Sequence, residues 1–294
     1  MEDAISLHHE VDYFYEDWAT RLRRLTMGTA YALRPNRWAT LPHVLGLSAG
    51  HLLKSADARM RFPATINPRS NAGLVGLCDD LSVPTLVRAY SQGIFPFCHL
   101  GPMKWWSPSE RSVLLFENER IEDSTRKLLR KRTFKLTFDY AFAGVIEACS
   151  KPRVRKTPLT WITPRVMDAY LALHQAGYAH SIEVWDSKDK LVGGIYGVAV
   201  GDVFFGESQF STVPNASKLA SAVLNAHLRT WGFALRDTRF MTEHHARAGC
   251  VSVPRRAFNA LVQKHVRKPS RSDLWEVDEN LDVASWKPKR LSTS

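Results

Sequence analysis

The segment from Arg126 to Lys135, RKLLRKRTFK, holds six basic residues with leucine and phenylalanine between them. Such a segment can bind the phosphates of an RNA backbone, and it can equally be an ordinary solvated helix face. The whole chain has a formal net charge of +11, from 40 lysine and arginine residues against 29 acidic ones. That charge attracts polyanions, so a nucleic acid or an acidic membrane surface fits as a partner.

The cysteines and histidines do not predict a metal site. The four cysteines lie far apart and form no CxxC or mixed Cys/His pattern, so we expect reduced and mostly buried thiols. The pairs His8/His9 and His244/His245 are adjacent in sequence, and neighbouring side chains point in different directions on a helix or a strand. We therefore expect no bound metal.

The composition predicts a globular protein of one large domain or two modest ones, with 294 residues of which 45% are hydrophobic. No stretch approaches the ~18 consecutive apolar residues that a membrane-spanning helix needs. The first residues, MEDAISLHHEVDYF, are too acidic and polar for a secretory signal. We expect a cytoplasmic monomer that has no membrane partner.

The first half of the chain predicts an extension followed by a denser segment. A helical pattern runs from Tyr13 to Leu25, after which prolines interrupt the sequence, so residues 1–65 are predicted to be basic and partly helical. Further on, Ser82 can cap a helix that has Pro84 in its first turn and ends at Gly93. The stretch from Ser112 to Phe116 resembles a strand.

The second half contains the elements that would position a site. The pattern predicts a helix through TWITPRVMDAYLALHQAG, the strand HSIEVWD, and two or three β segments in LVGGIYGVAVGDVFFGESQF with a turn at Gly201. A long helix from about Ala216 should end at Gly232. The strand FALRDTRF, a helix through HHARAG, the strand CVSV and a last helix from about Arg255 complete the order.

This order of helix, antiparallel strands, long helix, strand, helix and strand resembles the GCN5-related acyltransferase (GNAT-like) fold, which predicts an α+β protein. Coenzyme-A users of that fold hold the pyrophosphate in a glycine-rich backbone nest before the long helix. The corresponding stretch here, FSTVPNASKLA, has no glycine. We therefore expect a different activated acyl group and no cofactor.

Eight motifs occur in one order along the chain and together resemble the leucyl/phenylalanyl-tRNA–protein transferase family. They are GIFPF (93–97), WWSP (105–108), TWIT (160–163), AHSIEVW (179–185), LVGGIYGVAVG (191–201), FFGESQFS (204–211), NASKLA (215–220) and VPRRAF (253–258). The resemblance runs from about residue 67 to about residue 265. It implies an N-terminal extension (1–65), a small N-terminal α/β domain (66–112), a GNAT-like catalytic domain (113–268) and a C-terminal tail (269–294).

The resemblance also implies an activity. The family takes leucine or phenylalanine from the 3′ end of an aminoacyl-tRNA and joins it to the N-terminal amine of proteins that begin with arginine or lysine, which marks them for N-end rule degradation. The partners would be aminoacyl-tRNA and the N-terminal segment of an acceptor protein. An aminoacyl ester is already activated and an α-amine has a pKa of about 7.7 to 8.0, so positioning can supply most of the catalysis.

By correspondence with the family, Asp237 and Glu207 are the expected catalytic acids. Asp237 would hold a cationic amine or relay its proton, and Glu207 would orient the amine of the donor aminoacyl group. Arg239 stands where the family usually has glutamine. Because arginine has no acceptor and a permanent charge, Arg239 can pair with Asp237 or stabilise an oxyanion but cannot accept a proton.

The aminoacyl-adenosine end of the tRNA would need stacking partners and an apolar pocket. Trp161 and Phe97 match the stacking positions, although the family more often has tryptophan at the latter. The side-chain pocket would be formed by Ile195, Phe204, Gln209 and Leu224. The family commonly has methionine at the position of Gln209 and a larger aromatic residue at the position of Leu224. These two differences predict a more polar and wider pocket.

The candidates for contact with the tRNA backbone are basic residues near the expected cleft, and they carry no sequence information themselves. They are Lys104, Arg126, Lys127, Arg130, Lys131, Arg132 and Lys218. Two alternatives to the family reaction stay open at this point. The departures from the family pattern fit a drifted relative with another donor or acceptor, and the scaffold also fits a tRNA-binding module without turnover.

Overall fold

A computed structural model of the chain describes residues 14–34, 38, 41–63, 73–151, 159–271 and 274–288. His8, His9 and the predicted start of the first helix at Tyr13 lie outside these residues. The described part of the extension contains three helices, α1 (Trp18–Ala32), α2 (Leu41–Leu52) and α3 (Ala56–Arg59). Asp17 caps α1, because its carboxylate accepts a hydrogen bond from the backbone N–H of Thr20 at 2.6 Å.

A small antiparallel sheet follows the extension. It contains β1 (Leu74–Leu77), β2 (Phe95–Pro96) and β3 (Lys104–Trp106) in the order β1-β3-β2, and α4 (Val83–Ser91) connects the first two strands. The helix begins after Ser82 as predicted, but the Ser82 hydroxyl makes no capping hydrogen bond. Gly93 ends this segment with a φ of +70°, a conformation that glycine adopts without strain.

A mixed seven-stranded sheet forms the rest of the framework. Its order is β10-β4-β9-β8-β7-β6-β5, and every neighbouring pair is antiparallel except the parallel pair of β8 and β9. The strands are β4 (Glu110–Leu115), β5 (Lys135–Phe138), β6 (Ala179–Trp185), β7 (Leu191–Val200), β8 (Val203–Ser211), β9 (Leu235–Arg239) and β10 (Val251–Pro254).

Helices cover both faces of this sheet. They are α5 (Asp123–Lys131), α6 (Phe142–Ser150), α7 (Pro164–Gln175), α8 (Ala216–Thr230), α9 (Glu243–Arg247) and α10 (Arg255–His265). The adjacent residues Ile195 and Tyr196 of β7 are both buried but belong to different apolar clusters. The first cluster contains residues of α6 and α7, and the second contains residues of α8, so the sheet lies between two helical layers.

The basic segment does not form one continuous helix. Helix α5 ends at Lys131, the next residue, Arg132, has a φ of +48°, and β5 begins at Lys135. The expected long helix and the glycine turn at Gly201, with a φ of +59°, are both present. The chain is therefore a mixed α/β protein in which most predicted elements of the second half occur in the predicted order.

The segment after residue 273 packs against the α8 layer. Trp275 is 4% exposed, and its ring stacks on His180 with centroids 3.8 Å apart. The backbone N–H of Asp278 donates to Nε2 of His227, a residue of α8, at 2.9 Å. Residues beyond the limit of the sequence resemblance thus contribute to the same buried core.

A buried carboxylate holds the segment before α5 close to α8. Glu119 accepts hydrogen bonds from Asn225 at 2.8 Å and from Arg229 at 3.3 Å, and it is 3% exposed. Burial raises the pKa of Glu119 to about 7, although its hydrogen-bond and charge partners act in the opposite direction. The folded protein therefore binds a proton at this position more tightly than the unfolded chain does.

We predict a pH-dependent stability contribution from Glu119. Because the folded-state pKa lies above the unfolded one, the contribution is complete below about pH 4.5 and is lost as the pH rises through about 7. We take the difference in free energy of unfolding between the wild type and Glu119→Gln. This difference should fall by about 2 kcal/mol or more as the pH rises across this range. Urea titrations of both proteins at a series of pH values measure this difference, and a constant difference would contradict the prediction.

Candidate active site

The two parallel strands separate at the centre of the sheet. Strands β8 and β9 pair from Val203/Leu235 to Phe205/Asp237, and no pairing follows beyond those residues. At this point β8 has one additional residue, because Gly206 and Ser208 pair with consecutive residues of β7 and leave Glu207 between them. A β-bulge of this kind bends a strand and redirects a side chain, and bulges are frequent beside active sites.

The carboxylate of Glu207 is buried in a polar cluster on the α7 side of the sheet. The hydroxyl of Tyr90 donates to its Oε1 at 2.6 Å, the hydroxyl of Tyr170 donates to its Oε2 at 2.9 Å, and Arg239 forms an ion pair with it. Burial, followed by the charge of Glu207, raises the pKa of both tyrosines well above the usual value. Both hydroxyls therefore remain protonated and act as donors.

Arg239 is held in an unusual backbone conformation at the end of β9. Its φ is +64°, in the left-handed region that non-glycine residues rarely adopt. Burial has the largest single effect and disfavours its charge, but the charge of Glu207, the contributions of Tyr90 and Tyr170 and the hydrogen bond to Glu207 together outweigh it, so the net shift raises the pKa of Arg239. Backbone strain and a buried ion pair together are a combination found at functional sites.

Asp237 is also buried, and its two oxygens are occupied. It forms an ion pair with Arg111, in which both side chains are 1% exposed, and its Oδ1 accepts the backbone N–H of Arg239 at 2.8 Å. The expected pairing of Asp237 with the Arg239 side chain is not what the structure shows, since that guanidinium contacts Glu207 instead. In this arrangement Asp237 fixes the backbone at Arg239 and does not present a free carboxylate to an amine.

The expected stacking residues lie beside this cluster. The ring centroids of Trp161 and Phe97 are 5.5 Å apart, and the guanidinium carbon of Arg239 lies 5.3 Å from the Trp161 ring centroid. Trp161 is only 8% exposed. An adenine can therefore stack on Trp161 only after Arg239 or Phe97 has moved.

An open cleft of about 490 Å³ lies where β8 and β9 separate. Four of the predicted site residues line it: Ile195, Glu207, Gln209 and, at the start of α8, the predicted backbone contact Lys218. The other two predicted pocket residues, Phe204 and Leu224, are fully buried in the apolar cluster that also contains Ile195. The structure thus brings the predicted pocket residues together on the α8 side of the sheet.

Two histidines of α9, His244 and His245, line the same cleft. The Nδ1 atom of His245 lies 2.8 Å from the carbonyl oxygen of Phe240, which places the proton on Nδ1 and leaves Nε2 as an acceptor. Burial lowers the pKa of both histidines below the usual value, so they are neutral near pH 7. A neutral imidazole in a polar cleft is able to accept a proton.

Sequence reasoning missed several of these residues. Tyr90 and Tyr170 lie within two of the predicted helices, but neither they nor Arg111 are among the predicted site residues. A tyrosine predicted to be buried needs a partner for its hydroxyl, and that requirement is the signal that could have indicated a polar cluster. The adjacent histidines were considered only as metal ligands.

Among the described residues, no group of three or more His, Cys, Asp and Glu side chains could hold a metal ion.

The expected RNA-contacting residues fall into two groups. Lys104 is buried and donates to the carbonyl oxygens of Leu100 and Pro102, so it does not present its charge to a phosphate. Arg126 donates to backbone carbonyls of Ala284 and Trp286. These two expectations are therefore corrected. The exposed group comprises Lys127, Arg130, Lys131 and Arg132, while Lys218 forms a 2.6 Å ion pair with Glu122.

Comparison with known proteins identifies similar chains. A family model described as leucyl/phenylalanyl-tRNA protein transferase matches residues 113–263, and the model of that family's N-terminal domain matches residues 79–109. The leucyl/phenylalanyl-tRNA–protein transferase of Pseudomonas syringae pv. syringae is 45% identical over 206 residues, which are 70% of this chain and 89% of that protein. The protein of the same name from Pseudomonas syringae pv. tomato is 49% identical over 191 residues, covering 65% of this chain and 82% of that protein.

Solved structures give a weaker likeness. FemX overlays 53% of this chain and 64% of its own chain, with a TM-score of 0.39 and 10% sequence identity. That value is too low to support an argument about function.

Proposed function

The chain belongs to the leucyl/phenylalanyl-tRNA–protein transferase family, and we propose that it transfers leucine or phenylalanine from aminoacyl-tRNA to the N-terminal amine of proteins that begin with arginine or lysine. The observation that carries the proposal is the position of Glu207. It lies on a bulge between the aromatic cluster on one face of the sheet and the open cleft on the other. The GNAT-like description of the fold and a cytoplasmic location form part of the same proposal.

The chemistry requires a nucleophilic amine and the removal of one proton. The amine nitrogen attacks the ester carbonyl carbon, the new peptide bond forms, and the bond between that carbon and the ribose oxygen breaks. The amine loses a proton and the ribose oxygen gains one, so the overall reaction needs no external acid or base. The site has to align the two substrates and carry the proton between them.

We assign proton acceptance to His245 within this proposal. Asp237 and Glu207 are both bound by arginine in the structure, whereas His245 lines the cleft with its tautomer set by the carbonyl of Phe240. A neutral imidazole accepts the amine proton and can return it to the departing ribose oxygen. Glu207 and Asp237 then act by holding Arg239 at the edge of the site.

The exposed basic residues of the α5 segment support binding of the tRNA backbone. Lys127, Arg130, Lys131 and Arg132 are exposed on one short stretch, where their charges can release counterions from a nucleic acid, and Arg132 also donates to the carbonyl oxygen of Glu279 at 3.4 Å. We leave Lys104 and Arg126 out of this set because the protein itself occupies their charged groups. Selection of the amino acid is assigned to the pocket around Ile195 and Gln209.

A direct assay tests the proposed reaction. The purified protein is incubated with labelled leucyl-, phenylalanyl- and other aminoacyl-tRNAs and with peptides that begin with arginine, lysine, aspartate or glutamate. We expect label from leucine or phenylalanine on the arginine and lysine peptides. Transfer of another amino acid, or transfer to acidic peptides, would indicate a drifted relative. Binding of tRNA without any transfer would contradict the proposal.

A specific observation favours a second candidate function, in which this member of the family uses another donor amino acid or another acceptor. Arg239 already neutralises Glu207, so a cationic donor amine has to displace the guanidinium before it can pair with that carboxylate. The variant Arg239→Gln carries the residue usual in the family and removes this competition. If that variant transfers leucine or phenylalanine faster than the wild type, Arg239 hinders the family reaction in this chain.

We predict that Trp161→Ala weakens binding of aminoacyl-tRNA. Stacking of one base on an aromatic side chain contributes about 1–3 kcal/mol, so the dissociation constant should rise by roughly 5- to 150-fold. Trp161→Phe should retain most of the affinity, and the salt dependence of binding should be unchanged because the phosphate contacts remain. Equal affinity for all three proteins would exclude Trp161 as a stacking residue, while thermal unfolding shows whether each variant is folded.

A further inference from the structure

Exposed apolar side chains are concentrated in the extension. Of the sixteen large hydrophobic residues that are exposed among the described residues, eleven lie between Tyr15 and Met60. Scattered exposed leucines are normal on a protein surface, but a contiguous apolar patch marks an interaction site. The transfer reaction does not account for this concentration.

Helix α1 turns its apolar stripe outwards. Trp18, Leu22, Leu25 and Leu33 follow one another at intervals of three, four or eight residues, which places them on one side of the helix. They are 77%, 53%, 39% and 54% exposed. The indole N–H of Trp38, which is 62% exposed, donates to the carbonyl of Leu33 at 2.8 Å. These five residues are called the outer stripe below.

The opposite side of α1 is attached to the body of the protein. Gly28 is buried, and a Cβ built there would lie 3.4 Å from the Cβ of Leu100. The ring of Tyr31 lies 5.1 Å from that of His99 in an edge-to-face arrangement. Helix α1 therefore packs against the protein with the side that carries Gly28 and Tyr31. The outer stripe lies on the side that faces away, and this packing leaves it exposed.

The charge of α1 shows which partner the outer stripe fits. Helix α1 contains three arginines and no acidic residue, and Arg21 and Arg23 are exposed on it, whereas residues 1–65 as a whole contain eight lysine and arginine residues against seven acidic ones. An RNA backbone would pair with the arginines but would leave tryptophan and leucine in water. A bilayer with anionic headgroups satisfies both features, because tryptophan and leucine enter the interface while arginine contacts phosphate.

We propose that the outer stripe docks this protein on the surface of an anionic lipid bilayer, with α1 lying in the plane of the interface. No helix among the described residues is long and apolar enough to cross a membrane. The inference revises the expectation of no membrane partner, which was based only on the lack of a spanning segment. It is independent of the aminoacyl transfer, because the residues concerned lie outside the catalytic cluster.

Vesicle co-sedimentation of the full chain tests this inference. One set of vesicles contains phosphatidylcholine alone, and the other contains roughly two parts phosphatidylcholine to one part phosphatidylglycerol. The wild type should sediment with the anionic vesicles and much less with the neutral ones. The variant Trp18→Ser/Leu22→Ser should bind the anionic vesicles about tenfold more weakly or worse. The matched control Tyr140→Ser/Leu274→Ser, which removes two apolar residues elsewhere that are at least as exposed, should bind like the wild type.

Three results would overturn the inference. These are failure of the wild type to sediment with anionic vesicles, equal binding by the wild type and the α1 variant, and equal weakening by the control pair. Light scattering after size exclusion detects the alternative in which the outer stripe joins two copies of this chain. In that case the wild type is a dimer without lipid and the α1 variant is a monomer. Circular dichroism and transfer activity verify that both variants are folded.

Discussion

Replacement of His245 by glutamine is expected to lower the rate constant for amino-acid transfer by about 10²-fold, with little change in the affinity for aminoacyl-tRNA. Glutamine keeps a polar side chain of similar length in the cleft but cannot take up a proton near neutral pH. The wild-type rate should fall as the pH drops through the histidine pKa, which burial places below the usual value of 6.5. The variant should not show this fall in rate at low pH.

The acceptor amine titrates as well, and its ionisation affects both proteins equally. The ratio of wild-type to variant rates therefore isolates the effect of histidine ionisation. Single-turnover measurements from about pH 5 to about pH 8 give that ratio. His244→Gln is the matched control, because His244 lines the same cleft one residue earlier. If the control loses transfer and His245→Gln does not, the proton acceptor is His244 and the assignment made here is wrong.

The order of elements was predictable because short-range rules determine it. The long helix could be located from the spacing of its apolar residues, and its end from Gly232, which has a φ of +81°. The turn between β7 and β8 follows in the same way from Gly201. In each case the decisive interactions lie within a few residues of one another, so the sequence pattern contains the necessary information.

The polar cluster was not predictable in this way because its contacts join distant parts of the chain. Tyr90 and Glu207 are separated by 117 positions, and Arg111 and Asp237 by 126. Motif correspondence identified Glu207 and Arg239 as site residues, but it could not show that one neutralises the other. A pattern also records the ring of Tyr170 as apolar and carries no information on where its hydroxyl finds a partner.

The bulge in β8 explains why the predicted site residues divide between two faces of the sheet. In a regular strand Glu207 and Gln209 would share a face, since side chains alternate with a period of two. The additional residue breaks this alternation, so Glu207 contacts the tyrosines on the α7 side while Gln209 pairs with Ile195 in register. Extra residues of this kind are determined by strand pairing, which local periodicity does not reveal.

We expect Asp237→Asn to lower the free energy of unfolding by about 3–5 kcal/mol, because it leaves Arg111 buried without a counter-charge. The guanidinium of Arg111 lies between the rings of Phe95 and Phe258, at 4.7 and 4.4 Å from their centroids, and cannot reach water. Transfer activity should fall together with stability. Denaturant titration and the transfer assay measure the two effects on the same preparation.

The double variant Arg111→Met/Asp237→Asn separates a positioning role of Asp237 from a chemical one. Methionine removes the unpaired charge and fills the space between the two rings, so most of the lost stability should return. The asparagine side-chain oxygen still accepts the backbone N–H of Arg239, which keeps that residue in its left-handed conformation. If Asp237 acts only by holding Arg239, transfer returns along with stability. A double variant that is stable but inactive would show that the carboxylate itself takes part in the reaction.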